Sequence, residues 1–341
     1  MGKIDFIIPW VDGADTTWLA SKHRYSNDAS TSSQAIDANS ACRYHDNGLL
    51  RYWFRCVETF APWVNIVHFV SCEQFPGWLN KNHPKLNIVN HSDFIPKEYL
   101  PTFNANTIEM NFHRIVNLEE KYVYFNDDTF LLNRISPEFY FFNDAPILET
   151  DLRYTNKIGY NNWSRLLFND YCIIKENFDT ERSIWANRRK WFNIKELGVK
   201  RAVKNFLCFY TNRTLPVNLY GHIPLPHLKS TLKELWDKCP EEMSQMCTHK
   251  FRTDDQINQW VLCAWNQAKG QFYPTRPQAK GRNISITSDN IDWICRIIRN
   301  QELPQVCLNE NEQTMDADRC YELIRKAFDE ILPQKSSFEL D

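Results

Sequence analysis

Apolar residues along the chain recur with two different periods. Ile4-Asp5-Phe6-Ile7-Ile8 is a short β-rich run ended by Pro9, and Ile66–Val70, Leu86–Val89 and Tyr122–Phe125 are runs of the same kind. Short apolar runs bounded by turn formers predict buried strands. Between them the period lengthens. From Leu49 to Phe60, the residues Leu50, Phe54, Val57 and Ala61 recur at helical spacing, and Pro62 closes the segment. The same spacing predicts a helix over Asn104–Leu118 through Ile108, Phe112 and Ile115, and further helices over His227–Lys238 and Asp254–Lys269. In Asp316–Leu332, Cys320, Leu323, Ile324, Ala327, Phe328 and Ile331 share one helical face. A polar stretch from Ala20 to Ser40 reads as a long loop or flexible lid. Residues 145–215, rich in Trp, Tyr, Asn and Arg, carry helical patches at Ile184–Phe192 and Val199–Phe209. They read as a mostly helical insertion in a core made of residues 1–144 and 216–341. Strands alternating with helices predict an α/β core with a mostly parallel sheet and helices on both faces.

The bulk numbers narrow the class. With 341 residues, 43% hydrophobic and 24% charged, the chain is globular and can fill one large core or two small ones. A formal charge of −2 excludes nucleic acid as the main partner, because backbone binding needs a basic excess. The basic runs Arg188-Arg189-Lys190 and Lys200-Arg201 read as solvated helix faces. Contact with an anionic membrane or a pyrophosphate-linked acceptor is the lesser reading of them. No apolar stretch approaches the roughly 20 residues of a membrane span, and the amino-terminal run is too short for a signal segment. Eleven cysteines form an odd set with no Cys-x-x-Cys, and Cys239, Cys247 and His249 lack paired zinc spacing. Reduced thiols in a cytoplasmic protein, peripherally at the inner face of a membrane if at any, are the expectation.

Asn126-Asp127-Asp128 is the sharpest local feature. Adjacent carboxylates straight after a strand lie where ligands bind in parallel α/β sheets, and two like charges side by side call for a cation. Oxygen ligands of this kind suit Mg²⁺ or Mn²⁺ bridging to phosphates. The plain alternative is a strand-to-helix turn with Asp as N-cap. Trp10-Val11-Asp12-Gly13-Ala14-Asp15 is a turn in which Gly13 permits positive φ and backbone amides could approach a phosphate; an ordinary Asp-Gly turn is the alternative. His222-Ile223-Pro224-Leu225-Pro226-His227 holds two histidines in a segment kept extended by prolines, a setting that suits a catalytic imidazole or a loop histidine with one hydrogen bond. Arg252, before Asp254 and Asp255 at an expected helix start, offers a guanidinium fork for phosphate or is a surface Arg beside capping residues. Asn309-Glu310-Asn311 offers oxygen ligands or a polar turn.

Together these stretches resemble a known family. Ile4 to Asp15, Leu50-Arg51-Tyr52, Ala61-Pro62-Trp63-Val64, Pro76-Gly77-Trp78-Leu79-Asn80 and His83-Pro84 are similar to its first two regions. Leu100 to Glu109, His113-Arg114-Ile115 and Tyr124 to Asp128 continue the second. His222-Ile223-Pro224, Pro240-Glu241-Glu242 and Phe251-Arg252 resemble the third, and Val306 to Asn311 the fourth, with Glu310 where Asp is usual. The chain is thereby identified as a member of the stealth family of sugar-phosphate transferases, which includes bacterial capsule polymerases and the lysosomal-enzyme N-acetylglucosamine-1-phosphotransferase. The resemblance implies a Rossmann-like, GT-A-like fold. It implies a nucleotide diphosphate-sugar donor, with UDP-sugar favoured, and a glycan or lipid-linked oligosaccharide acceptor. Catalytic roles fall on His222, Arg252, Asp127 and Asp128. A Mg²⁺ or Mn²⁺ ion falls to Asp127, Asp128, Asn309 and Asn311. Donor contacts fall on Trp10, Asp12, Gly13, Asp15, Arg51, Asn104, His113 and Arg114. His222 is expected as general base, or as nucleophile through a phosphohistidine. Two rival readings are a metal-dependent glycosyltransferase that releases nucleoside diphosphate and a non-catalytic sugar-binding protein using the 12 Trp and 14 Tyr as platforms.

Overall fold

The computed structural model describes residues 2–26, 44, 47–153, 162–212, 221–310 and 315–340. The strands are β1 (Ile4–Pro9), β2 (Val67–Ser71), β3 (Leu86–Asn90), β4 (Lys121–Tyr124), β5 (Thr129–Leu131), β6 (Phe141–Phe142), β7 (Ala145–Glu149), β8 (Leu225–Leu228), β9 (Tyr273–Thr275), β10 (Arg282–Ser285) and β11 (Gln305–Asn309). The main helices are α1 (Thr16–Arg24), α2 (Leu50–Phe60), α3 (Ala105–Glu109), α4 (Asn162–Asn177), α5 (Thr180–Ala186), α6 (Val199–Asn212), α7 (Lys229–Lys238), α8 (Pro240–Thr248), α9 (Trp260–Lys269), α10 (Ile291–Arg299) and α11 (Ala317–Ile331).

The central sheet runs β3-β2-β1-β4-β8. Its first four strands are parallel, with Phe6 opposite both Val67 and Val123, and β8 closes it antiparallel to β4. Alternation along β1 splits the hydrophobic residues between two cores. Ile4, Phe6 and Ile8 meet Val123, Phe125 and the buried sides of α2, α10 and α11. Ile7 points the other way, with Tyr122, Tyr124 and Leu225, against residues of α4 to α9. Burying both faces is what a parallel sheet requires, and it explains strands that are apolar at consecutive positions. Asp5 is the polar exception in β1. Its carboxylate accepts from Asn65 Nδ2 at 2.8 Å, His68 Nε2 at 3.0 Å and the Glu119 amide at 2.9 Å, so it ties three connections to the strand.

Two smaller sheets flank the first, ordered β10-β11-β5 and β6-β7-β9. The first of them positions the site, because the chain leaves β4 and enters β5 through Asn126-Asp127-Asp128.

Several expected boundaries move. The Asn104–Leu118 helix is only α3 followed by a 3₁₀ turn at Phe112–Arg114. Asn111 Nδ2 donates to the Thr107 carbonyl at 2.8 Å and takes up the α-helical ladder there. The Asp254–Lys269 helix starts at Trp260 instead. Side-chain bonds hold its first residues out of the helix: Asn169 Nδ2 donates to the Asp254 and Gln256 carbonyls, and Asp170 Oδ1 accepts from the Asn258 amide. His227 belongs to β8, so α7 begins two residues after it. Ala20 to Arg24 are helical, within α1, and the rest of the expected Ala20–Ser40 loop from 27 onward lies outside the described residues. Residues 162–212 are mostly helical, with α4 of 16 residues and α6 of 14 on either side of shorter turns of helix, and they follow the strand β7. The ten cysteines among the described residues form no disulfide there, and no helix among the described residues is long and apolar enough to cross a membrane.

Candidate active site

The Asp pair sits in the turn between β4 and β5, so neither carboxylate caps a helix. Asp128 is held from both sides: its carbonyl accepts from the Leu308 amide at 2.8 Å, and its Oδ2 accepts from Cys307 Sγ at 3.3 Å. Both contacts follow from β5–β11 pairing, which sets Cys307 opposite Thr129. Asp128 Oδ1 is buried and has no hydrogen-bond partner among the described residues.

His222 arrives through the β4–β8 register. With Tyr124 opposite Leu225, antiparallel pairing carries the residues after β4 toward those before β8. His222 Nε2 therefore lies 2.8 Å from Asn126 Nδ2 and 3.7 Å from Asp128 Oδ2. Burial opposes its protonation, but the Asp128 carboxylate outweighs that, aided by Glu109, and the imidazole pKa is raised above its usual 6.5.

A polar chain leads inward from this histidine. Asn126 Oδ1 accepts from the Tyr124 hydroxyl, which lies 2.8 Å from Glu109 Oε1. Glu109 is buried, and desolvation holds its carboxyl above the usual value despite Tyr124 and the nearby Arg252 and His222. A protonated Glu109 can donate to the Tyr124 oxygen while Tyr124 donates to Asn126. Arg252, in the loop between α8 and α9, makes no hydrogen bond or ion pair among the described residues.

Tyr124, Asn126, Asp127, Asp128, His222 and Arg252 line a cavity of about 220 Å³, together with the aromatic residues Trp10, Trp18, Tyr44 and Phe103. Trp18 contacts Tyr44 and Phe103 at ring-centroid distances of 5.0 and 5.6 Å, and Phe251 stacks on Phe103 at 5.2 Å. His91 also borders the cavity; burial drives its pKa down to about 4, so it is neutral near pH 7. A cavity walled by aromatic rings and by carboxylates, an imidazole and a guanidinium can hold a ligand that has both a flat ring and a charged group.

Not every residue expected here lines this cavity. Trp10, Asp127, Asp128, His222 and Arg252 do. Asp12 and Asp15 stand at the rim and serve the turn: Asp12 Oδ1 accepts from the Ala14 amide, and Asp15 Oδ1 caps α1 at Trp18. Gly13 has no positive φ. It is glycine because its amide donates to the Tyr44 carbonyl at 2.7 Å, and a Cβ there would stand 2.2 Å from that oxygen. Asn104 is fully buried, caps α3 at Asn106 and donates to Gln256 Oε1. Arg51 lies over the Trp78 ring at 5.4 Å. Arg114 lies over Trp236 and bonds Asn111, with the His113 ring 6.0 Å from the same indole and its pKa pushed down to about 3 by burial. Arg51, Asn104, His113 and Arg114 are thus engaged within the fold, outside the cavity wall. Asn309 ends β11 two residues beyond Cys307, on the same side of the strand. Asn311 lies outside the described residues. Glu310 accepts from Asn47 Nδ2 at 2.5 Å and from the Tyr321 hydroxyl, which accounts for a longer acid at that position.

Residues 2–29 match the family description "Stealth protein CR1, conserved region 1", and residues 43–148 match "Stealth protein CR2, conserved region 2". The chain is 34% identical to the capsular polysaccharide phosphotransferase WcwK of Streptococcus pneumoniae, over 99% of each chain. It belongs to the Stealth family. It is also 35% identical to the receptor polysaccharide phosphotransferase WefC of Streptococcus oralis over the full length of both. The exopolysaccharide phosphotransferase cps2G of Lactiplantibacillus plantarum is 30% identical over 98% of this chain and 96% of its own. Within the Stealth chain, the first two conserved regions supply Trp10, Glu109, Tyr124 and the Asp pair. The remaining partners, His222, Arg252 and Cys307, come from beyond residue 148.

Proposed function

We propose that this Stealth protein is a polysaccharide phosphotransferase that moves a sugar 1-phosphate from a nucleotide diphosphate-sugar to a glycan hydroxyl, with a UDP-sugar as the favoured donor. The supporting observation is the meeting of His222 with Asn126 and Asp128 in a cavity that aromatic residues also line. The aromatic rings suit a nucleobase, and Arg252, which makes no hydrogen bond or ion pair among the described residues, suits the pyrophosphate. Full-length likeness to chains named polysaccharide phosphotransferases points the same way. The strand order β3-β2-β1-β4 agrees with a Rossmann-like, GT-A-like sheet, in which ligands bind beyond the carboxyl ends of the strands.

In this reading the acceptor hydroxyl oxygen attacks the sugar-bearing phosphorus. The new P–O bond forms as the bond to the bridging oxygen breaks, and a nucleoside monophosphate leaves. The hydroxyl proton passes to His222, whose raised pKa follows from its carboxylate neighbour. Tyr124 and Asn126 hold the imidazole in one orientation, and Arg252 faces the charge that builds on the leaving phosphate. A Mg²⁺ or Mn²⁺ ion would be held by Asp128, whose buried Oδ1 lacks a partner among the described residues, with Asp127 and Asn309 as further oxygen donors. Bound there, such an ion would neutralise pyrophosphate charge. Cys307 Sγ and His222 share the Asp128 carboxylate within 4.8 Å, so softer cations such as Zn²⁺ would compete at the same place.

Stereochemistry at phosphorus separates the two roles open to His222. Direct transfer with His222 as base gives inversion, and a phosphohistidine intermediate gives retention.

A further inference from the structure

Helix α6 carries two apolar stripes, one buried and one exposed, with Lys200 and Lys204 between them. Ala202, Asn205, Cys208 and Phe209 form its buried stripe. On the opposite side Val199, Val203, Phe206, Leu207 and Tyr210 are 43% to 64% exposed. A surface helix normally turns one apolar stripe to the core and keeps the rest polar, so the second stripe lacks cover. The exposed stripe continues onto neighbouring segments through Ile194 and through Trp185, both more than half exposed. Trp185 stacks on Phe209 at 6.2 Å, Phe192 packs on both Phe209 and Phe206 at 5.9 and 5.5 Å, and Phe206 stacks on Tyr210 at 6.3 Å, so Trp185 is joined to the exposed stripe through these rings. Scattered single hydrophobes need no explanation, but a joined set of this kind does.

The charge around it decides what covers it. Between Arg182 and Asn212 the sequence has eight Lys and Arg against one acid, Glu196, in a chain whose net charge is −2. Glu196 accepts from the Tyr273 hydroxyl, and Arg201 and Lys204 pair with the buried Asp151. Arg182, Arg188, Arg189, Lys195 and Lys200 remain exposed beside the apolar stripe. A second copy of this chain docked through the same face would press two cationic clusters together, which disfavours a two-fold dimer. An anionic lipid surface meets both features at once. Phosphate headgroups take the cations, Trp and Tyr settle at the interface, and the aliphatic side chains enter the acyl boundary.

We propose that the face formed by α6, Trp185 and Ile194 docks the protein on an anionic phospholipid surface. The inference goes beyond the transfer chemistry and does not rest on it.

Co-sedimentation with phosphatidylcholine–phosphatidylglycerol vesicles, against pure phosphatidylcholine, tests it. The wild type should pellet with the anionic vesicles and be released by salt. The pairs Phe206→Ser with Leu207→Ser and Arg189→Glu with Lys200→Glu should each weaken binding about tenfold or more. Both pairs lie on the surface and should keep the wild-type melting temperature. They should also keep wild-type nucleotide release in vesicle-free buffer, which separates loss of docking from loss of chemistry. Wild-type protein that stays in the supernatant with anionic vesicles would overturn the proposal. So would variants that bind as well as wild type, or a dimer that Phe206→Ser dissolves while vesicle binding is absent.

Discussion

His222 gains its character from its neighbours. Asp128 raises its pKa above 6.5 against the effect of burial, so the acidic limb of the kcat/KM profile should lie above that value. As a base it must be unprotonated, and activity should therefore rise with pH through that limb. His222→Ala should cut turnover by about a thousandfold or more, in the upper range of what a positioned acid or base supplies. Tyr124→Phe removes the hydroxyl between Glu109 and Asn126. Turnover should fall about tenfold with KM for the donor little changed, since the loss is one of orientation. Steady-state kinetics with each variant check both expectations. The sequence pointed to Asp127, Asp128, His222 and Arg252 through their combined likeness to the family motifs, since each local pattern alone had a plain alternative, and the structure brings all four to one cavity. It gave no such sign for Glu109, Tyr124 and Cys307. Tyr124 and Cys307 stand in apolar runs that read as core, and Glu109 in a polar helix start, until the fold brings them beside Asn126 and Asp128. The wall of Trp18, Tyr44 and Phe103 was hidden for the same reason: its members are far apart in sequence and meet only in three dimensions.

At the scale of elements, the short apolar runs of β1 to β4 were readable because a parallel sheet buried on both faces leaves continuous hydrophobic stretches. The strands β5 to β11 span two to five residues and show no such run, so only their partners define them. One of them, β8, carries His222 to Asn126. The two long helix readings failed where Asn111, Asn169 and Asp170 give the backbone other partners. Two ties hold these elements in place. Arg55 on α2 grips Glu339 through two bonds, Nε to Oε1 at 2.8 Å and Nη2 to Oε2 at 3.0 Å, fastening the C-terminal segment and Phe338 to the core. Glu339→Ala leaves the Arg55 guanidinium buried without its main partner and should cost about 3 kcal/mol in urea unfolding. Asp5 is the second tie. Burial pushes its pKa up, yet the bonds from His68, Asn65 and the Glu119 amide hold it below the usual 3.8. Its contribution is therefore complete above the unfolded-state value and lost as pH falls through the lower folded value. Asp5→Asn should be destabilised near neutral pH, and the gap to wild type should close as both are taken to strong acid in pH-dependent unfolding.

For the whole molecule, one sheet with helices on both faces sets the cavity beyond β1 and β4, and the second sheet brings Cys307 and Asn309 against its edge. The α/β class was legible from the alternation of periods. The flanking sheets were not, since each depends on a pairing of strands more than a hundred residues apart, β5 with β11 and β7 with β9. If Asp128 and its neighbours hold a divalent cation, chelation should stop transfer and Mg²⁺ should restore it, while Asp128→Ala should stay inactive at any Mg²⁺ concentration. The central claim is that the bond broken joins the two phosphates of the donor. Incubation with a panel of nucleotide-sugars, Mg²⁺ and a glycan acceptor, followed by nucleotide analysis, tests it most directly. The account predicts nucleoside monophosphate, formed in step with a sugar phosphodiester and absent with His222→Ala. Release of nucleoside diphosphate without monophosphate would contradict it.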